Sequence, residues 1–164
     1  GADVNATEES GFTPLHLSSK NGHKAVALLL LERGADLNVT NEQGFTPLHL
    51  SSMQGHRDVS LLLLDRGADL NVTTEKGFTP LHLSSQEGHQ DVSLLFVERG
   101  ADLNVTTEQG FTPLHLSSFN GHRDVSLLLL DRGADLNVTN EQGFTPLHLS
   151  SMQGHRDVSL LLLD

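Results

Sequence analysis

The chain contains no cysteine, which excludes disulfide stapling and thiolate metal sites but leaves the redox compartment open. Basic residues are also scarce. Ten Lys and Arg stand against 21 Asp and Glu, a net charge of −11 at pH 7, so the summed field repels phosphate backbones and anionic lipid. Nucleic acid is therefore not an expected partner. The longest apolar run, Ala25 to Leu31, spans seven residues, against the roughly 18 needed to suggest a membrane span, so no direct membrane insertion is expected. The chain starts at Gly1, without a basic n-region or a long apolar h-region, and no targeting signal is visible. It reads as a piece of something longer.

What is present comes in fives. The 164 residues include 5 Pro, 10 His and 15 Gly, which implies five copies of a unit near 33 residues long. Thr-Pro-Leu-His begins at Thr13, Thr46, Thr79, Thr112 and Thr145, and Gly-Ala-Asp at Gly1, Gly34, Gly67, Gly100 and Gly133. The period is 33 throughout, with no insertion. Such self-similarity is the mark of a repeat architecture. Residues 41–65 and 140–164 are identical, which fits recent tandem duplication or human design.

In the unit from Thr40 to Val72, Thr46 before Pro47 is an N-cap with proline at the first helical position. The spacing predicts a first helix over Pro47–Gln54, ended by Gly55. A second helix is predicted over Arg57–Asp65, with Asp58 placed favourably in its first turn. The run Leu61 to Leu64 covers most of that helix, so its neighbours must cover it on several sides. A lone unit could not do that. Ala68 to Phe78 then forms a projecting finger whose turn, Thr74 to Gly77, uses glycine for a positive φ.

A 33-residue unit of a turn and two antiparallel helices, carrying Gly-Phe-Thr-Pro-Leu-His and Gly-Ala-Asp-Leu-Asn, resembles the ankyrin repeat family over the whole chain. The resemblance implies an all-α ankyrin-repeat solenoid of helix-turn-helix units with projecting β-turn or hairpin fingers. It is read as a single domain over 1–164, with a finger fragment at 1–7, repeats at 8–40, 41–73, 74–106 and 107–139, and a truncated repeat at 140–164. Two departures stand out. The family's Ala-Ala after Pro-Leu-His-Leu is Ser-Ser in every copy, beginning at Ser18, Ser51, Ser84, Ser117 and Ser150, and buried hydroxyls among these are expected to bond the carbonyl four residues back. The family's turn Asp is replaced by Glu8, Asn41, Thr74, Thr107 and Asn140. Thr is expected to cap the turn and Glu8 to cap it less well.

Ten histidines in five evenly spaced pairs, such as His49 and His56, raise the question of metal. Seven helical positions separate His49 from His56 by about 10 Å, and equivalent histidines in stacked units lie about 8–10 Å apart, whereas Zn–N bonds measure about 2 Å. No metal site is expected. In the family the Thr-Pro-Leu-His histidine ties finger to helix by hydrogen bonds, and such rings can still titrate, so acid is expected to loosen the stack. Five equal copies of Ser, His and Asp do not form the single asymmetric constellation a nucleophilic site needs. With no Gly-rich phosphate loop either, neither enzyme activity nor a cofactor is expected.

Solenoids bind through extended concave surfaces, and the resemblance places that surface on the finger tips and the exposed side of the first helix. The corresponding positions are Glu9, Ser10, Phe12, Lys20 and Asn21 in the first copy, and Glu42, Gln43, Phe45, Met53 and Gln54 in the second. The third gives Glu75, Lys76, Phe78, Gln86 and Glu87. The fourth and fifth give Glu108, Gln109, Phe111, Phe119 and Asn120, then Glu141, Gln142, Phe144, Met152 and Gln153. The pair before Gly-His changes in nearly every unit, so variation falls where contact would be. Met53, Phe119 and Met152 are candidate apolar anchors. The expected role is a non-enzymatic, intracellular and cytoplasmic protein-interaction scaffold; a mechanical segment of a longer solenoid and an engineered array without a natural partner are the alternatives.

Two further expectations concern the finger asparagines and the ends. Asn-x-Thr recurs at Asn5, Asn38, Asn71, Asn104 and Asn137, and these sequons read as part of the family's finger rather than as glycan acceptors. The family's finger asparagine is a substrate type for an asparaginyl hydroxylase that prefers Leu eight residues earlier, which selects Asn38, Asn71 and Asn137. Neither end carries a distinct polar capping unit, so head-to-tail self-stacking of this polypeptide is expected.

Overall fold

A computed structural model describes residues 1–164, all of which are assigned to ten helices or to turns and loops between them, with no strand. In chain order these are α1 (Pro14–Lys20), α2 (Lys24–Glu32), α3 (Pro47–Met53), α4 (Arg57–Asp65) and α5 (Pro80–Glu87). They continue as α6 (Gln90–Glu98), α7 (Pro113–Phe119), α8 (Arg123–Asp131), α9 (Pro146–Met152) and α10 (Arg156–Leu163). The second helix of the unit read above falls on Arg57–Asp65 as expected, and the first ends one residue early, at Met53.

Each odd-numbered helix starts at a capping box. In α3, the Thr46 side chain accepts from His49 N at 3.3 Å while His49 Nδ1 accepts from Thr46 N at 3.0 Å. Histidine thus fills the role that Glu or Gln usually plays three residues after the cap. The turn between helices depends on glycine for two reasons. Gly55 has φ +76°, and a Cβ there would lie 2.6 Å from His89 Nδ1 of the following unit. Any side chain would both strain the backbone and push the units apart.

The odd helices stack on one another in one layer and the even helices in a second. Fifteen buried apolar side chains, from Leu15 to Leu162, form one continuous core between the layers. At the fingers, the β-turn form is the one adopted: Asn41 N donates to Phe45 O at 3.0 Å and Gly44 N to Asn41 O at 3.0 Å. Successive fingers are joined by single backbone bonds, such as Glu75 N to Gln43 O at 3.1 Å and Glu108 N to Lys76 O at 2.9 Å.

The serine pairs depart from expectation. Ser18, Ser51, Ser84, Ser117 and Ser150 donate to the carbonyl three residues back, each at 3.2 Å, and in the last four the same hydroxyl also meets Ser60, Ser93, Ser126 or Ser159 on the second helix at 2.8 Å. The rotamer that faces the second helix points the oxygen at the nearer carbonyl. Of the second serines, Ser52 bonds Leu48 O four residues back, whereas Ser19, Ser85 and Ser118 are buried with no hydrogen-bond partner. The turn caps also reverse the expected order. Glu8 accepts from two backbone N–H groups, of Ser10 and Phe12, at 2.8 and 2.9 Å, while Thr74 accepts only from Phe78 N, at 3.2 Å. The carboxylate of Glu8, like the amide oxygen of Asn41, reaches both donors of the turn; the hydroxyl, set closer to the backbone, reaches one.

Candidate functional site

The histidines fix the walls of the site. His49 Nε2 donates to Phe78 O at 2.9 Å, in the finger of the next unit, and His16, His82 and His115 make the same bond to Phe45, Phe111 and Phe144. Their Nδ1 atoms accept from the capping threonine's backbone N–H. Both ring nitrogens are therefore engaged, and neither lone pair is free to bind a metal. The Gly-His histidines bond in the opposite direction: His89 Nε2 donates to Met53 O at 3.0 Å and His122 to Gln86 O at 2.8 Å, in the preceding unit. Those carbonyls belong to the candidate contact positions, so each unit is tied at that edge by the unit that follows.

Burial pushes the imidazoles of the inner stack towards the neutral form. His49 and His82 are lowered from 6.5 to about 4, desolvation outweighing the pull of the carbonyls bonded at Nε2. His16 and His115 are lowered for the same reason. A proton on Nδ1 would also oppose the N–H that this nitrogen now accepts.

Four rings lie edge-on to the phenylalanine four residues earlier, as in Phe45–His49 at 5.8 Å and 68° and Phe111–His115 at 5.9 Å and 85°, and the fifth pair, Phe144–His148, is tilted at 45°. All five of these phenylalanines are half-buried, one side on the histidine and the other towards the groove between fingers and odd helices.

Two concavities, each floored by a pair of phenylalanines, open along that groove. The first, of about 370 Å³, is lined by Gln43, Phe45, Met53, Glu75, Lys76, Phe78 and Gln86 of the expected set, with Thr74 and Leu83 added. The second, of about 330 Å³, is lined by Gln86, Phe111, Phe119, Asn120, Gln142, Phe144 and Met152, with Leu116, Asn140 and Leu149 added. Gln86 belongs to both. A cleft of about 100 Å³ beside the second takes in Gln109 and Glu141. Leu116 and Leu149 were not anticipated, although they sit three residues before Phe119 and Met152 and hence on the same helical face.

The remaining expected positions lie at the margins. Glu9, Ser10, Lys20 and Asn21 are exposed beside half-buried Phe12, and Glu42, Gln54, Glu87, Glu108 and Gln153 are exposed outside the two concavities. Phe119 is 40% and Met152 55% exposed, while Met53 is half-buried. The finger asparagines lie elsewhere, on a ladder in which Asn38 Oδ1 accepts from Asp69 N at 3.1 Å and Asn71 Oδ1 from Asp102 N at 3.3 Å. Asn137 N donates to Asp135 Oδ1 at 2.9 Å.

No helix is long and apolar enough to cross a membrane. Comparison with curated proteins finds no match. A sequence model of ankyrin repeats (three copies) matches residues 1–74, 37–107, 61–140 and 95–164. These matches run from one end of the chain to the other over the helix pairs and fingers described above, and the chain belongs to the ankyrin repeat family.

Proposed function

We propose that the chain is a non-enzymatic scaffold that binds a protein partner through the groove between its fingers and odd helices. The observation that carries this reading is the pair of phenylalanine-floored concavities along one groove, with Phe119 and Met152 presented to solvent at the second. Apolar side chains held in place before binding lose little entropy on contact, which is what an anchor needs. Ankyrin repeats generally act in protein recognition, and an intracellular, cytoplasmic setting is part of the same reading. The test is partner retention from cell extract by the unaltered chain and by Phe119→Ser plus Met152→Ser, with Arg123→Ser on the opposite layer as control. Loss confined to the groove variant supports the reading; equal retention by all three refutes it.

A mechanical role is favoured by a different observation, the reuse of the same histidine and finger bonds at each junction between units. Two finer proposals accompany the first. Asn38, Asn71 and Asn137 are exposed on the fingers and are proposed as hydroxylation positions; a mass gain of one oxygen per site on exposure to an asparaginyl hydroxylase is the readout. The isolated polypeptide is also proposed to stack head to tail. Val26 is 48% exposed where its equivalent Val59 is 1%, and Leu163 is 69% exposed at the other end, so each end presents a surface of the kind buried inside the stack.

A further inference from the structure

The charge around the groove is lopsided. Eight of the ten basic residues lie on the even helices or at their C-caps: Lys24 and Arg33, Arg57 and Arg66, Arg99, Arg123 and Arg132, and Arg156. Only Lys20 and Lys76 remain on the groove side. Against them, Glu9, Glu42, Glu75, Glu108 and Glu141 form a ladder of exposed carboxylates at the finger tips, one per unit. Glu75 lines the first concavity and Glu141 the cleft beside the second. Two lysines, one of them Lys76 in the first concavity, do not neutralise five carboxylates, so the groove side carries a net negative charge and attracts cations.

The two concavities fix the spacing of what fits. The first is built on Phe45 and Phe78 and the second on Phe111 and Phe144, two units apart. Stacked helices are spaced by about 8–10 Å, so the centres lie about 16–20 Å from each other. An extended chain rises about 3.3 Å per residue, and this span therefore takes five or six residues. Parity decides between them, because side chains alternate faces along a strand and only an even separation directs both towards the same wall.

The groove also suits an extended rather than a helical backbone. Between and beside the apolar patches stand the amides of Gln43, Gln86, Asn120 and Gln142. A helix satisfies its own main-chain groups, whereas an extended segment has unpaired N–H and C=O groups for such amides to meet. Gln86, shared by both concavities, sits where the segment would cross from one to the other.

We propose that the groove takes an extended, basic segment of a partner protein, with large apolar side chains six residues apart seated in the two concavities and Lys or Arg between them facing the finger-tip carboxylates. This deepens the scaffold reading and rests on it.

The probe is a fluorescently labelled peptide with two leucines about six residues apart and alternating arginines between them, titrated against the whole chain by anisotropy. Saturable binding is expected below about 100 µM. It should weaken about tenfold for Met53→Ser and for Met152→Ser, and should fall steeply as salt is raised. Arg132→Ser should change nothing. A second peptide, with one leucine moved by a single residue, should bind about tenfold more weakly because the slip turns that side chain away from the wall. No saturable binding, or equal binding of the slipped peptide, overturns the proposal. Selection of binders from a random peptide library separates its failure from that of the scaffold reading. Binders displaced by Phe119→Ser but lacking the basic, six-apart pattern, including those with helical spacing, overturn this occupant and leave the groove as the contact surface. Binders indifferent to groove variants overturn both.

Discussion

Lowering the pH from 7 to 5 should strip stability from the middle of the stack. His49 and His82 are held at about 4, while an unfolded histidine titrates near 6.5. Below 6.5 the unfolded chain takes up protons that the folded chain refuses, so stability falls as the pH drops. The loss begins near 6.5 and is complete near 4, below which both states are protonated. The drop from 6.5 to about 4 corresponds to about 3 kcal/mol per histidine in full, and about 2 kcal/mol of that is lost between pH 7 and 5. For the pair the expected loss is about 4 kcal/mol, a large share of the stability of an ordinary domain. Relief of acidic self-repulsion works in the opposite direction as the net charge of −11 shrinks. The assay is urea unfolding followed by far-UV circular dichroism at each pH, on the unaltered chain and on His49→Gln plus His82→Gln. The double variant should be weaker at pH 7, having lost two ties between units, but should lose far less on acidification. Equal stability of the unaltered chain at both pH values, or an undiminished loss in the double variant, refutes the reasoning.

Ser85→Ala and Ser118→Ala should each raise stability by about 1 kcal/mol in the same assay, since each removes a buried hydroxyl that has no partner. Gly55→Ala should cost more than about 1 kcal/mol, because it combines a positive φ with a contact on the His89 ring. In light scattering over a concentration series, the 164-residue polypeptide should gain mass with concentration, and Leu160→Glu plus Leu163→Glu should abolish that gain; a constant monomer mass would remove the stacking proposal.

The helices were legible because their punctuation is written in the chain. Thr-Pro opens each odd helix and Gly closes it, and these choices hold whatever the tertiary surroundings. The apolar run from Leu61 to Leu64 likewise announced that units must cover one another. Less legible was everything that depends on where a short side chain points. Ser51 and Ser52 are chemically identical neighbours, yet one meets Ser60 on the facing helix and the other bonds Leu48 O alone; only packing decides that. Glu8 read as the weaker cap of its turn, yet its carboxylate serves two donors where the Thr74 hydroxyl serves one. At the groove, the variable positions drew attention to Met53, Phe119 and Met152. The invariant leucines behind two of them, Leu116 and Leu149, did not vary and so did not register as contact surface.

The groove as the contact surface is tested most directly by photocrosslinking. A photoreactive phenylalanine analogue is placed at position 119, on the groove, or at position 132, at the C-cap of α8 on the other layer, and irradiated with the full chain in cell extract. The account predicts a discrete adduct with a partner protein from position 119 and none from position 132; the reverse pattern, or the same adduct from both, would contradict it.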